Sequence, residues 1–131
     1  MFRLLVAGGR DFYDYRFIEN TLDDWLSSLE VDFADIYDKG LIVVHGDAPG
    51  VDRIAGAWAS YNFFIPEPHA ANWKEYGKAA GHIRNAEMIS LGVDYAILFP
   101  GGRGTQDMKD QLVSSKISFR EVLDTRPTTH I

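Results

Sequence analysis

The residues best placed to do chemistry in this chain form a glycine-rich turn, Pro100-Gly101-Gly102-Arg103-Gly104-Thr105. An apolar run ends at this turn, and a segment with helical spacing follows it directly. Glycines let the backbone approach a ligand closely, and the first N–H groups of a helix lack internal partners and attract an anion. The turn therefore predicts a phosphate-binding loop, in which Arg103 would reach the phosphate and Thr105 would donate its hydroxyl or cap the helix. The alternative is a turn that only lets the helix pack closely against the strand.

Two other apolar runs end on turns of the same kind. Gly8-Gly9-Arg10-Asp11 follows the first run, and His45-Gly46-Asp47-Ala48-Pro49-Gly50-Val51-Asp52 follows the second. The first turn lacks the third glycine of a dinucleotide fingerprint, and no Walker lysine follows Thr105, so neither an ordinary NAD oxidoreductase nor a Walker-type ATPase is indicated. For Arg10 and Asp11 the alternative is a local turn pair. For His45, a structural histidine is as good an interpretation as a catalytic one.

Further candidates lie between the second and third turns. Arg84 and Asn85 stand near the start of a predicted helix, where a basic residue opposite the Pro100–Thr105 turn would close an anion pocket. Glu87 is then either the helical partner of Arg84 or an acid in the site. The long connection 66–81 also carries two aromatic residues, which would stack on a base or pin the loop to the body of the protein: Trp73 and Tyr76.

The elements that must position these residues alternate along the chain. Short apolar runs predict strands at 3–7, 41–44, 63–65, 95–99 and 117–122. Helical spacing occurs at 17–29 and 54–59, from about His82 to Leu91-Gly92, and from Gly104 or Thr105 onwards. This order predicts a single Rossmann-like doubly wound α/β domain with a mainly parallel five-stranded sheet and helices on both faces. We expect one domain over 1–131, with a core at about 3–123 and a lightly docked tail at 125–131.

Charge and composition limit the partners. The net charge of −6 argues against a protein that coats duplex nucleic acid. Arginines in turn segments nevertheless favour a local anion site on the acidic surface: Arg10, Arg53, Arg84 and Arg103. There is no cysteine, Asp47 and Asp52 fit turn and helix-start chemistry, and His69 and His82 lack zinc spacing, so no metal is expected. No apolar run approaches the ~20 residues that cross a bilayer, and a cytoplasmic protein without membrane contact is expected.

As a set, these motifs resemble the YspA or YpsA-related branch of the SLOG superfamily. The resemblance implies a Rossmann-like domain that binds a nucleoside monophosphate, an NAD derivative or a relative of ADP-ribose. It also implies a role as a sensor or sequestering module, in bacterial or phage conflict and defence systems, with no cofactor beyond that ligand. The motifs that carry the resemblance occur in order along the chain: Gly8–Phe12, His45–Asp52, Asn72–Gly77, Gly81–Met88 and Phe99–Thr105.

A related branch, the lysine-decarboxylase-like LOG proteins, implies an alternative function. LOG proteins hydrolyse the N-glycosidic bond of cytokinin nucleoside 5′-monophosphates and carry Pro-Gly-Gly-x-Gly-Thr-x-x-Glu together with an arginine. Arg84 matches that arginine, but Met108 stands at the position of the glutamate. Glycosidic cleavage needs a carboxylate near the sugar. The remaining candidates for a catalytic acid are Glu87, Asp47 and Asp107.

The same superfamily suggests two kinds of macromolecular partner. Its DprA proteins bind single-stranded DNA, which makes DNA binding a third hypothesis, although the acidic charge disfavours it. LOG relatives also suggest a homodimer. For such a contact the sequence offers a group of aromatic residues that would be exposed: Phe12, Tyr13, Tyr15 and Phe17.

Overall fold

Strands and helices alternate around one parallel sheet in the computed structural model, which describes residues 1–28, 36 and 38–123. The order of strands across the sheet is β3-β2-β1-β4-β5, and each neighbouring pair is parallel. This is the Rossmann-like α/β fold that the alternating pattern predicts. The five strands are β1 (Phe2–Ala7), β2 (Leu41–His45), β3 (Ile65–Pro68), β4 (Tyr95–Leu98) and β5 (Phe119–Glu121).

Helices cover both faces of the sheet. Helices α1 and α2 contact each other, and so do α4 and α5. A short 3₁₀ turn at Gly77–Ala79 joins α3 to α4. In the part of the chain that is described, no helix is long and apolar enough to cross a membrane. The helices are α1 (Tyr15–Leu26), α2 (Val51–Tyr61), α3 (Trp73–Tyr76), α4 (Ala80–Ser90) and α5 (Arg103–Ser114).

The central strand β1 is buried on both faces because its side chains alternate between two apolar clusters. Leu4 and Val6 pack with Trp25 and the other buried side chains of α1 and α2. Leu5 points the other way and packs with Met88 of α4 and the buried side chains of α5. Burial on both faces is typical of strands in a parallel sheet. The end of β1 is therefore held rigidly between two packed layers.

The predicted third strand is wrong by several residues. The sequence predicts it at 63–65, whereas β3 runs over Ile65–Pro68. Phe63 has a φ of +62° and is 95% exposed, so it belongs to the turn that precedes the strand. The two prolines of β3 argued against a strand in the sequence, since proline lacks the N–H donor that strand pairing uses. They are tolerated because β3 lies at the edge of the sheet.

The connection 66–81 is more ordered than predicted. It contains most of β3, helix α3, the 3₁₀ turn and the start of α4, which begins at Ala80 rather than at His82. Asn72 caps α3 by accepting a hydrogen bond from the backbone N–H of Glu75 at 3.1 Å. The predicted helix stop near Gly92 is confirmed, since α4 ends at Ser90 and Gly92 has a φ of +101°.

Other boundaries shift only slightly. Helix α5 begins at Arg103, one residue before the predicted start, and β5 is shorter than the predicted 117–122. Leu29, assigned to the apolar face of the first helix, and the predicted tail 125–131 lie outside the described residues.

The four aromatic residues that were expected at the surface differ in their exposure. Phe12 is buried, and its ring lies 6.0 Å from that of Phe17, which in turn packs 6.2 Å from the ring of Phe99. Tyr13 and Tyr15 are exposed. The expectation of four exposed aromatics is therefore wrong for the two phenylalanines, and the homodimer stays a prediction.

Candidate functional site

The three glycine turns meet at the carboxyl edge of the sheet, beside the point where the strand order reverses between β1 and β4. The backbone N–H of Gly9 donates to the carbonyl oxygen of Pro100 at 2.8 Å, and the N–H of Val51 donates to the carbonyl of Gly9 at 3.3 Å. The turn after β1 is thus bonded to both others. Such a switch point is where ligands bind in open α/β sheets.

Some glycines of these turns are required by packing alone. A Cβ on Gly8 would lie 2.6 Å from Val51 Cγ2 and 2.9 Å from the Cβ of Phe99. A Cβ on Gly9 would lie 2.9 Å from the carbonyl oxygen of Pro100. These contacts are too short for any side chain. For Gly8 and Gly9, close packing is a sufficient explanation of the residue type.

Gly102 and Gly104 are different, because packing does not account for them. A Cβ on either residue would meet no atom within 4 Å in the described structure, and neither has a φ in the left-handed region. Both line a cavity. Neither sterics nor a left-handed backbone requires glycine at these two positions, although glycine is also a common N-cap residue, as Gly102 is here. The missing side chains leave room for a ligand to approach the backbone closely.

The cavity has a volume of about 260 Å³ and lies between the three turns and helix α4. It brings together most of the predicted site residues, including the turn and α4 residues that were expected to face each other. Trp73 lies at its edge and is 54% exposed. The predicted residues that line it are Gly8, Gly9, Arg10, Gly46, Trp73, Arg84, Asn85, Gly102, Arg103, Gly104 and Thr105.

The cavity is basic although the protein is acidic. Arg10 and Arg103 are exposed, and within the described ranges neither side chain makes a hydrogen bond or salt bridge. A second cavity of about 220 Å³ adjoins the first, shares Arg10 and Arg84 with it and adds Arg53. The arginines that the sequence indicated therefore form one basic groove.

Helix α5 presents backbone donors to this groove. Its N-cap is Gly102, which offers no capping side chain, and the first N–H bonded within the helix is that of Gln106, to the carbonyl of Gly102 at 3.0 Å. The N–H groups of Arg103, Gly104 and Thr105 come before this first bond and therefore have no acceptor within the helix. Unpaired N–H groups and the helix dipole together favour an anion at this position.

Arg84 lines the cavity and also connects several segments around it by hydrogen bonds. Its Nη1 donates to the backbone carbonyl of Gly46, and to that of His69 at 3.3 Å. Its Nε donates to the side-chain oxygen of Asn85 at 3.0 Å. Burial lowers the pKa of Arg84 from its ordinary value. Arg84 therefore connects α4 to the segments that follow β2 and β3.

The segment after β3 is fixed by a charged cluster. Arg3 on β1 pairs with Glu67 on β3, with Nη2 and Oε2 at 2.6 Å, and His69 Nε2 lies 2.8 Å from the same Oε2. The hydrogen bonds from Arg3, more than that from His69, lower the pKa of Glu67 to about 2 against the opposing effect of burial. Because His69 is held in this way, its carbonyl is in place to accept from Arg84.

Asn85 and Asp107 join α4 to α5 beside the glycine turn. Asn85 Nδ2 donates to the carbonyl of Gly104 at 3.2 Å and to Asp107 Oδ2 at 2.9 Å. Asp107 also contacts His82 Nδ1 at 2.7 Å and accepts from Gln111 at 2.8 Å. Burial raises the pKa of Asp107, but these hydrogen bonds outweigh it, and the pKa is lowered. Asp107 is thus a bonded carboxylate between helices.

His45 is placed away from the main cavity. Its Nδ1 accepts a hydrogen bond from the N–H of Asp47 at 3.0 Å, so a neutral ring carries its proton on Nε2, which lies against Gly56 of α2. Burial lowers the pKa of His45 and favours that neutral form. The ring lines a separate cavity of about 240 Å³ with Arg53 and Pro68.

Several other predicted residues also lie outside the main cavity. Asp47 lines the adjoining cavity, and its Oδ1 lies 3.6 Å from Arg53 Nε. Glu87 is exposed on α4, with its Oε1 3.9 Å from His69 Nδ1. Pro100 and Gly101 line a cavity of about 250 Å³ on the other side of their turn. Asp11 and Tyr76 are exposed.

Asp52 is a charged lining residue whose sequence position indicated only turn and helix-start chemistry. Its side chain is 5% exposed, and its Oδ1 is buried without a hydrogen-bond partner in the described structure. Burial raises the pKa of Asp52 to about 6. The available signal was its position: a second acid after β2, in the first turn of a helix that starts at the same sheet edge as α5.

Met108 lies in the core. It is 1% exposed and packs with Leu5, Met88 and Leu112. The position at which LOG proteins carry a glutamate thus faces the sheet in this chain. Among the described residues, no cluster of three or more His, Asp or Glu side chains could hold a metal ion.

Comparison with known proteins agrees with these motifs. The sequence profile of the YAcAr family, described as the YspA, cpYpsA-related SLOG family, matches residues 2–76. The Gene 61 protein of Mycobacterium phage D29 is 38% identical over 109 residues, which cover 79% of this chain and 80% of that protein. The profile spans the first two glycine turns, whereas the third lies beyond it. This chain belongs to the YspA, cpYpsA-related SLOG family.

Proposed function

We propose that this protein binds a nucleotide or nucleotide-derived ligand of the nucleoside monophosphate, NAD or ADP-ribose type, as a sensor or sequestering module. The observation that carries the proposal is the open space at Gly102 and Gly104, beside the first N–H groups of α5, which have no acceptor within the described residues. A phosphate placed there would accept from those amides and from Arg103 or Arg10. Trp73 at the edge would stack on the base. The phage relative fits a role in conflict between phage and host.

Calorimetric titration of the purified protein with AMP, GMP, CMP, UMP, NAD and ADP-ribose tests this proposal. Binding of at least one of them is expected, with a rise in melting temperature, because a ligand that binds the folded state stabilises it. Mass spectrometry of protein purified without added ligand would identify a nucleotide that is retained. Failure of all six to bind, together with a mass spectrum free of nucleotide, would contradict the proposal.

Asp52 favours one alternative, an N-glycoside hydrolase acting on a nucleotide. Cleavage of the glycosidic bond needs a carboxylate beside the sugar. Asp52 places a carboxyl group in the cavity lining, whereas Glu87 is exposed elsewhere and Asp107 is fully engaged between helices. Incubation with the same six compounds, followed by chromatography for released base, tests this alternative. Absence of release at high protein concentration would leave binding alone.

A further inference from the structure

The basic groove extends beyond the α5 amides at which the proposed phosphate would bind. The main cavity of about 260 Å³ and the adjoining cavity of about 220 Å³ share Arg10, Trp73 and Arg84 in their walls. Of these two cavities, the main one reaches Arg103 at the start of α5, and the adjoining one reaches Arg53 in the first turn of α2. Because α5 follows β4 and α2 follows β2, on opposite sides of β1, Arg103 and Arg53 lie toward opposite ends of the groove.

Arg53 has hydrogen-bond donors that the protein does not use. Its Nε donates to the backbone carbonyl of Asp47 at 3.2 Å, which fixes the guanidinium beside the turn after β2. Within the described residues, no hydrogen bond involves its Nη1 or Nη2, and the side chain is 60% exposed. A guanidinium with free Nη groups binds a phosphate well, because it can donate two parallel hydrogen bonds. The adjoining cavity therefore offers a place for an anion.

Asp47 supplies the single carboxylate among the described lining residues of the adjoining cavity. Its Oδ1 lies 3.6 Å from Arg53 Nε, which is longer than a charge-assisted hydrogen bond, and both side chains are exposed to solvent. Exposed ion pairs of this kind are weak, because solvent screens them. Phosphate oxygens bound to the Nη groups would make shorter contacts. Asp47 therefore lowers the affinity of this place for an anion without closing it.

The guanidinium groups of the groove are close enough to act on one another. Burial is the main cause of the lowered pKa of Arg84, and the positive charge of Arg10 lowers it further. The charges of Asp52 and Asp47 oppose this change. Among the described residues, four arginines line the two cavities, whereas these two aspartates are the only acids there. A ligand with more than one phosphate group would supply the counter-charge that is missing.

We propose that Arg53 forms a second phosphate site in the adjoining cavity, so that the ligand of this protein is a nucleotide with at least two phosphate groups. This inference rests on the proposed nucleotide binding and narrows its ligand class, with the first phosphate still at the α5 amides. Nucleoside diphosphates, nucleoside 3′,5′-bisphosphates, NAD and ADP-ribose meet this condition, whereas a nucleoside monophosphate does not.

The experiment titrates the full chain calorimetrically with the 5′-monophosphate, the 5′-diphosphate and the 3′,5′-bisphosphate of adenosine, guanosine, cytidine and uridine. The diphosphate tests adjacent phosphate groups, and the bisphosphate tests separated ones. For the base that binds most tightly, one of these two probes is expected to bind at least about fivefold more tightly than the monophosphate, through hydrogen bonds to a charged but exposed group. Arg53→Ala should reduce this preference to less than about twofold and leave binding of the monophosphate unchanged.

Three further variants separate the second phosphate site from a general effect of charge. Arg103→Ala should weaken all three probes alike, because each carries the phosphate that would bind at α5. Asp47→Asn should strengthen binding of the doubly phosphorylated probe and not of the monophosphate, and asparagine tolerates the φ of +56° at this position. Arg16→Ala, on the exposed surface of α1 and outside both cavities, removes the same charge as R53A and should change nothing.

The outcomes separate this inference from the proposed function. Equal binding of the three probes, or a preference that survives in R53A, would overturn the second phosphate site while nucleotide binding stands. If only NAD or ADP-ribose binds, R53A must weaken that binding at least about fivefold, and a smaller effect overturns the site. If none of these compounds binds, the proposed function fails and this inference fails with it. Arg53→Gln is the second variant should R53A not fold, and the melting temperature of each variant verifies the fold.

Discussion

Arg84 on α4 donates a hydrogen bond to the backbone carbonyl of Gly46, directly after β2, while its side chain also lines the basic cavity. The proposed function gives this arginine a role in ligand binding. The structure adds a mechanical role, because the same guanidinium joins α4 to the turns after β2 and β3. Binding and stability should therefore be coupled at this one residue.

Arg84→Ala is expected to reduce both the affinity for a nucleotide and the stability of the fold. Loss of a charged donor should weaken nucleotide binding by about 1.5–3 kcal/mol, and the unpaired carbonyls of Gly46 and His69 should cost about 1–3 kcal/mol of unfolding free energy. Titration calorimetry and urea unfolding measure the two effects. Arg84→Lys should recover part of the binding but little of the stability, since an ammonium lacks the planar fork.

Arg103→Ala is the matched control, because Arg103 is exposed and makes no hydrogen bond or salt bridge within the described residues. Its removal should weaken binding by roughly the same 1.5–3 kcal/mol but should change the unfolding free energy by less than about 0.5 kcal/mol. Equal losses of stability in the two alanine variants would contradict the bracing role of Arg84.

The sequence predicted the parallel five-stranded sheet and the helices on both of its faces. These features follow from local patterns, since apolar runs, glycines and helical spacing each report on neighbouring residues. The boundaries of β3 could not be predicted, because Pro66 and Pro68 are acceptable only at a sheet edge. Which strand lies at the edge depends on the whole topology.

The site was predictable in its backbone and less so in its side chains. A turn sequence indicates that a glycine is needed, but not whether a neighbouring turn or a ligand needs it. That distinction separates Gly8 from Gly104 and requires the distances. In the same way, Asp47 and Asp52 look alike as acids after β2, and only the fold exposes the first and buries the second.

Gly104→Ala should separate ligand binding from folding. The open space around Gly104 and its place in the first turn of α5 predict unchanged or slightly higher stability, by up to about 1 kcal/mol, because alanine favours a helix. The added methyl group would stand where an anion approaches the amides. Binding of the tightest nucleotide should therefore fall by a factor of ten or more, about 1.4 kcal/mol, as measured by calorimetry.

Gly8→Ala provides the contrasting variant. Its methyl group would lie 2.6 Å from Val51 Cγ2, so overpacking should cost about 1–3 kcal/mol of unfolding free energy. Thermal unfolding of both variants would distinguish the two kinds of glycine. Comparable destabilisation in both would mean that Gly104 serves packing as Gly8 does.

Met108→Glu tests whether the LOG glutamate can be restored. Met108 is 1% exposed and packs against the sheet, so a glutamate there would bury a charge without a partner and should cost at least about 3 kcal/mol. Urea unfolding should show that loss, whereas Met108→Leu should cost less than about 1.5 kcal/mol. Release of base from a nucleotide by a stably folded M108E protein would show instead that this position reaches the cavity.

The buried carboxyl of Asp52 should make stability depend on pH. Burial raises the pKa of Asp52 from 3.8 to about 6, so between these values the folded state binds more protons than the unfolded state. The unfolding free energy contributed by this group therefore falls as the pH rises through that interval, by about 3 kcal/mol in total. D52N lacks this ionisable group. In urea unfolding, its unfolding free energy should therefore rise relative to that of the unsubstituted protein between pH 4 and pH 7. A difference that is constant over this range would contradict the raised pKa.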